Sequence, residues 1–81
     1  MLVPVYGFLE GDVIGLLLLV KDQDRVATLV TKLQESASVR VAPRPGMSVV
    51  HRGKHLDPAL RIAEAGIEAL DRIDVRGPDG F

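Results

Sequence analysis

The stretch Val49–Ile67, VVHRGKHLDPALRIAEAGI, decides how the chain is read. Val49 and Val50 are β-branched and suit the end of a short strand. Arg52-Gly53-Lys54 reverses the chain, with Gly53 free to take a positive φ. Leu56 is an isolated apolar anchor, and Asp57-Pro58 punctuates the chain again. Ile62-Ala63-Glu64-Ala65 has the length of a single helical turn, which Gly66 stops and under which Ile67 folds back. The order is strand, reversal, anchor, capped turn and a closing apolar residue.

Upstream, Leu2–Glu10 reads as a first strand, with Val3, Val5 and Gly7 alternating with Pro4, Tyr6 and Phe8. Pro4 cannot donate to a ladder, so it belongs at the strand's start or on an unpaired side. Glu10-Gly11-Asp12 is a hairpin turn. Val13–Lys21 is a second strand, and its run Leu16-Leu17-Leu18-Leu19-Val20 shows no alternation. Either both faces of this strand are covered by the chain, or one face is an apolar patch for a partner. On the second reading Leu16, Leu17, Leu18 and Leu19 are the candidate partner-facing residues. Asp22 and Asp24 are candidate helix N-caps, suited to the positive end of the helix dipole. Val26, Leu29, Val30 and Leu33 then fall on one face of an amphipathic helix running from Arg25 to about Ala37. Lys32, Gln34 and Glu35 take the other side.

Downstream of the helix, Ala42-Pro43-Arg44-Pro45-Gly46 is the strongest breaker in the chain. Met47–His51 is a third strand, and Arg72–Arg76 is an alternating one that points Ile73 and Val75 inward. The pattern predicts an α+β fold, a mixed sheet of four or five strands with one helix packed across it. The first and last strands would lie parallel at the centre, joined through a right-handed crossover. That is the arrangement of ubiquitin-like β-grasp domains. One such domain is expected over residues 1–76, with 77–81 as a short C-terminal tail.

Composition supports this and excludes several function classes. The 81 residues leave room for one domain, and such a chain buries roughly 60% of its unfolded surface. Apolar residues make up 47%, yet there are only one Tyr and two Phe, so Val, Leu and Ile must fill the core. The chain has no cysteine, which rules out disulfides, thiolate metal sites and thiol catalysis. The formal charge is −1, with acidic and basic residues interspersed, so no footprint for nucleic acid or an anionic membrane is expected. The N-terminal MLVPVYGFLEGD lacks the basic region of a signal peptide. The run Leu16–Val20 is far shorter than the ~20 residues that span a bilayer. A soluble, cytoplasmic domain is the expectation.

Residues that carry chemistry are sparse. His51 and His55 are four apart, but they flank a turn, have basic neighbours and lack an acidic third ligand nearby, so ordinary surface or strand-end histidines are expected. No Glu-x-x-His pair is present to supply a di-iron helix. Neither GxGxxG nor GxxxxGK occurs, and Ser36, Ser38 and Ser48 lie in no nucleophile elbow. Asp22/Asp24 are better explained by capping and Glu64/Glu68 by a solvated edge. No catalytic, cofactor-binding or metal-binding residue is expected; what remains is binding of protein to protein.

Several stretches also carry a family resemblance. They are Pro4-Val5 leading to Glu10-Gly11-Asp12, the apolar second strand, and Asp24 before Val26-Ala27. Val41-Ala42-Pro43-Arg44-Pro45-Gly46, Ile62-Ala63-Glu64-Ala65-Gly66-Ile67 and Ile73-Asp74-Val75 complete the set. In these the sequence resembles the small gamma subunit of toluene monooxygenase hydroxylases, component B of bacterial multicomponent monooxygenases. It differs in a shorter, less basic segment at His51–Arg61. The resemblance implies a non-catalytic β-grasp subunit, binding neither iron nor substrate. Its implied partner is the large hydroxylase subunit, which carries a di-iron site and oxidises aromatic hydrocarbons. The alternative is a free-standing ubiquitin-like interaction module. A conjugated modifier is disfavoured, because the tail Gly77-Pro78-Asp79-Gly80-Phe81 has no diglycine and Arg76 stands where ubiquitin's apolar patch needs a valine-like residue.

Overall fold

The computed structural model describes residues 1–78. Two strands, β1 (Leu2–Leu9) and β2 (Gly15–Lys21), precede one helix, α1 (Val26–Ser36). Three strands follow, β3 (Ser48–His51), β4 (Lys54–His55) and β5 (Arg72–Arg76). They form one sheet in the order β2-β1-β5-β3-β4. β1 and β5 are the parallel pair at its centre, and the other neighbours are antiparallel. Pro4 sits where β1 has not yet met β5, and its carbonyl accepts the Leu70 N–H at 2.6 Å, so its missing donor costs no ladder bond.

Period-two patterning splits the sheet into two faces. Val3, Val5 and Leu9 of β1, Leu18 and Val20 of β2, Val49 of β3, and Ile73 and Val75 of β5 all point under the helix and are buried. Val26, Leu29 and Leu33 meet them from α1. Gly7 lies where the helix comes closest: a Cβ there would stand 3.1 Å from Leu33 Cδ1 and 3.3 Å from Leu18 Cδ1.

The 49–67 stretch does what its residues demand. Val50 pairs with His55 and His51 with Lys54, which leaves Arg52-Gly53 as a two-residue hairpin loop. Both loop residues have positive φ, 52° and 78°, so the strand that follows Gly53 is a short β4. Ile62–Ile67 closes as a single turn. Gly66 takes φ 76°, its N–H donates to Ala63 O, and the Ile67 N–H reaches Ile62 O. This is the Schellman pattern, with Ile62 and Ile67 both buried beneath it.

Two expectations need correction, and the start of the tail carries a contact of its own. Neither Asp22 nor Asp24 caps the helix; the N-cap is Arg25, with no side-chain cap bond. The first helical N–H groups instead donate to backbone, Val26 to Leu60 O at 2.8 Å and Ala27 to Pro58 O at 3.1 Å. Gln34 does not face solvent. It is buried, and its amide exchanges two bonds with the Arg44 backbone, at 3.1 and 2.8 Å, fastening the 42–46 loop to the helix. Gly77, assigned to the tail, is buried and donates to Glu10 Oε2 at 2.8 Å; the tail residues 79–81 lie outside the described residues.

Leu29→Ala or Leu33→Ala, each removing a fully buried side chain, should cost about 2–5 kcal/mol in chemical denaturation. Leu17→Ala, on the opposite face, should cost well under that in the same measurement.

Candidate protein interface

The sheet face away from the helix is divided. Its β1–β2 half carries Leu2, Pro4, Tyr6 and Phe8 opposite Leu17 and Leu19. Tyr6 faces Leu17 and Pro4 faces Leu19 directly across the pair. The four-leucine run therefore alternates after all: Leu18 is 5% exposed and Leu16 packs against the core, while Leu17 and Leu19 are 56% and 54% exposed. The expected partner-facing set of Leu16, Leu17, Leu18 and Leu19 narrows to its two outward members, because the chain itself covers the inner pair. Leu70 adds to the exposed apolar groups, joined to Pro4 by its N–H. It holds φ 67°, a left-handed conformation that costs a β-carbon-bearing residue roughly 1–2 kcal/mol.

The β5 half of the same face is charged, with Arg72, Asp74 and Arg76 outward. Arg72 marks the border. Its guanidinium lies over the Phe8 ring, 4.2 Å from the centroid, and donates to Asp74 Oδ1 at 3.1 Å. The ring in turn covers Gly15, where an added Cβ would meet Phe8 Cε1 at 2.5 Å. A side chain at Gly15 would push the Phe8 ring aside, so the glycine answers to close approach rather than to its backbone angle.

Two polar clusters brace the rim. Asp12, in the β1–β2 loop, accepts from Arg40 Nε at 2.9 Å and Arg40 Nη2 at 2.8 Å, and from the Ile14 N–H. The Arg40 hydrogen bond holds its carboxyl below the usual range. At the other end His51 is buried, its Nε2 donating to Asp71 Oδ2 at 3.0 Å. Asp71 also accepts the Glu68 N–H at 3.0 Å, and this bond, with His51 and Arg52, lowers its pKa. His55 instead lies 3.2 Å from Ser48 Oγ. The two histidines do not converge on one point, and among the described residues no cluster of His, Asp or Glu has the geometry to hold a metal ion. Among the same residues no helix is long and apolar enough to cross a membrane. His51 was read as a surface or strand-end residue. Its partner lies twenty positions on, a separation across which sequence gives no signal.

A mixed five-stranded sheet with one helix across it is the ubiquitin-like β-grasp class. An ubiquitin from Caldiarchaeum subterraneum superposes with a TM-score of 0.75 at 18% identity, over 99% of this chain and 100% of that one. A de novo design based on ubiquitin gives 0.79 at 20% identity, over 99% and 93%. More specifically, the chain belongs to the family of toluene-4-monooxygenase system protein B (TmoB), which matches residues 2–76. A chain of the toluene 4-monooxygenase HD complex with the inhibitor 4-bromobenzoate superposes with a TM-score of 0.85 at 29% identity, over 93% of this chain and 96% of that one. No curated protein sequence matches significantly.

Folding favours the charged form of Asp71, so its contribution is present above its ordinary value of 3.8 and is lost as pH falls through the lower folded value. The denaturation midpoint should therefore drop on acidification from about pH 6 to about pH 3. Asp71→Asn should be less stable than the parent at the upper pH and should lose less stability across that interval.

Proposed function

We infer that this protein is a non-catalytic accessory subunit of a monooxygenase of the toluene-oxidising type. It docks on the large subunit that holds the di-iron site and adds neither iron ligand nor substrate contact. The observation that carries this reading is the likeness, over nearly the whole length of both chains, to a component of the toluene 4-monooxygenase complex. Family membership over residues 2–76 supports it. The apolar half of the outer sheet face supplies a physical means of docking: Leu17 and Leu19, with Leu2 and Tyr6 beside them, are unmet by the chain's own core.

Affinity purification of the tagged chain from its native cells, grown with and without an aromatic hydrocarbon, is the direct test. Stoichiometric recovery of a large iron-containing subunit is the expected result. Its absence where that subunit is expressed overturns the reading and leaves a free-standing interaction module. Burying one leucine side chain is worth about 1.5–3 kcal/mol. Leu17→Glu or Leu19→Glu should therefore weaken the complex by roughly tenfold or more, with the isolated domain still folded by circular dichroism. Leu18→Glu, aimed into the core, should unfold it.

A further inference from the structure

The sheet has two edges, and they are unequal. β4 is two residues long, whereas β2 runs seven residues, Gly15–Lys21. The phase of the β1–β2 ladder fixes which β2 backbone groups face outward. Asp22 N–H donates to Met1 O, so Leu16, Leu18 and Val20 bond to β1, and Gly15, Leu17, Leu19 and Lys21 turn their N–H and C=O groups to the open edge. Two of these positions are occupied. Lys21 uses its N–H on Asp24 Oδ2 at 2.9 Å and its carbonyl on the Asp24 N–H, and Leu19 O accepts from Lys32 Nζ at 3.0 Å. Gly15, both groups of Leu17 and the Leu19 N–H remain.

Proteins blunt exposed edges with prolines, bulges or charges along the strand. β2 has none of these over Leu16–Val20; its one guard is a lysine reaching over from the helix. A groove runs beside that edge between β2 and α1, lined by Leu2, Leu19, Val20, Lys21, Asp24 and Lys32. The Asp24 carboxylate accepts the Lys21 N–H, so the groove presents the two lysines beside one carboxylate and is net positive.

We propose that the Gly15–Leu19 edge of β2 takes an extended segment of the large subunit as a sixth strand, apolar where it flanks Leu17 and Leu19 and carrying a carboxylate for Lys32. The inference rests on the accessory-subunit reading and names how the partner is held. Main-chain bonds supply attachment, and the alternating side chains supply register. A second copy of the chain would bring only its own Gly15–Leu19, which holds no carboxylate for Lys32, so a partner segment of different composition is the occupant.

Amide hydrogen exchange on the assembled complex, read at single residues, tests it. The Leu17 and Leu19 N–H groups should exchange at least tenfold more slowly in the complex than in the free chain, while Leu16 and Leu18 are protected in both. Leu17→Pro removes the outward N–H together with the leucine side chain and should release the chain from the large subunit; Leu17→Ala, which removes the side chain and keeps the N–H, should weaken it far less. An unchanged Leu17 exchange rate in a formed complex overturns edge pairing and leaves the accessory role intact. Equal effects of Pro and Ala in folded variants overturn it as well. Should Leu17→Pro unfold, the exchange rates of the unmodified chain decide alone. Failure to form any complex overturns both readings.

Discussion

A set of backbone hydrogen bonds between residues 22–27 and 58–63 holds this molecule in shape. Val26 and Ala27 donate to Leu60 O and Pro58 O, while Ile62 and Ala63 return bonds to Asp24 O and Asp22 O, each at 2.8–3.1 Å. Arg25 and Arg61 add side-chain bonds to Ala59 O and Gln23 O in the same sense. A helix N-terminus leaves four N–H groups unsatisfied, and a buried donor without a partner costs about 1–3 kcal/mol. Here two of those groups, on Val26 and Ala27, are met by the very segment that must close the bottom of the core. Helix start and closing turn are therefore one unit: displacing Leu60 would both uncap α1 and lift Ile62 from its buried site.

That coupling explains why the capping prediction failed while the fold prediction held. Asp22 and Asp24 have the right side chains for an N-cap, and local rules can see no further than a few residues. The carbonyls that do the work come from far along the chain, and no local pattern announces them. The Gly66 turn was legible because its chemistry is local: only a glycine-like residue accepts φ 76° at low cost, and the apolar pair Ile62/Ile67 sits at the spacing the motif requires. The helix was legible from Val26, Leu29 and Leu33 and matches to within a residue at each end.

The second strand was legible, but which of its residues face outward was hidden for a different reason. Alternation can be read only where inward and outward residues differ in polarity. At Leu16–Leu19 both sets are leucine, so the period is present in the structure and invisible in the letters. Gln34 was misplaced because a distant segment, the Arg44 loop, buries it; His51 does end β3 as expected, but its burial against Asp71 gave no local signal. Polar residues go inside when a partner waits for them, and the partner is a property of the tertiary fold.

The division of the outer face follows from the same one-sided core. With one helix and few aromatic residues, the chain covers chiefly the helix-facing side of the sheet. On the outer side, charge solvates β5 through Arg72, Asp74 and Arg76, and the Arg72–Phe8 contact closes the border. Leu17 and Leu19 lie beyond that border. They are also the residues whose backbone groups point off the free edge, because in an antiparallel pair the positions not bonded to one neighbour are turned toward the other side. Side-chain face and backbone edge are therefore presented by the same two residues. A strand added there would extend the sheet and carry its apolar outer half onward without a break, so the face and the edge form one continuous surface.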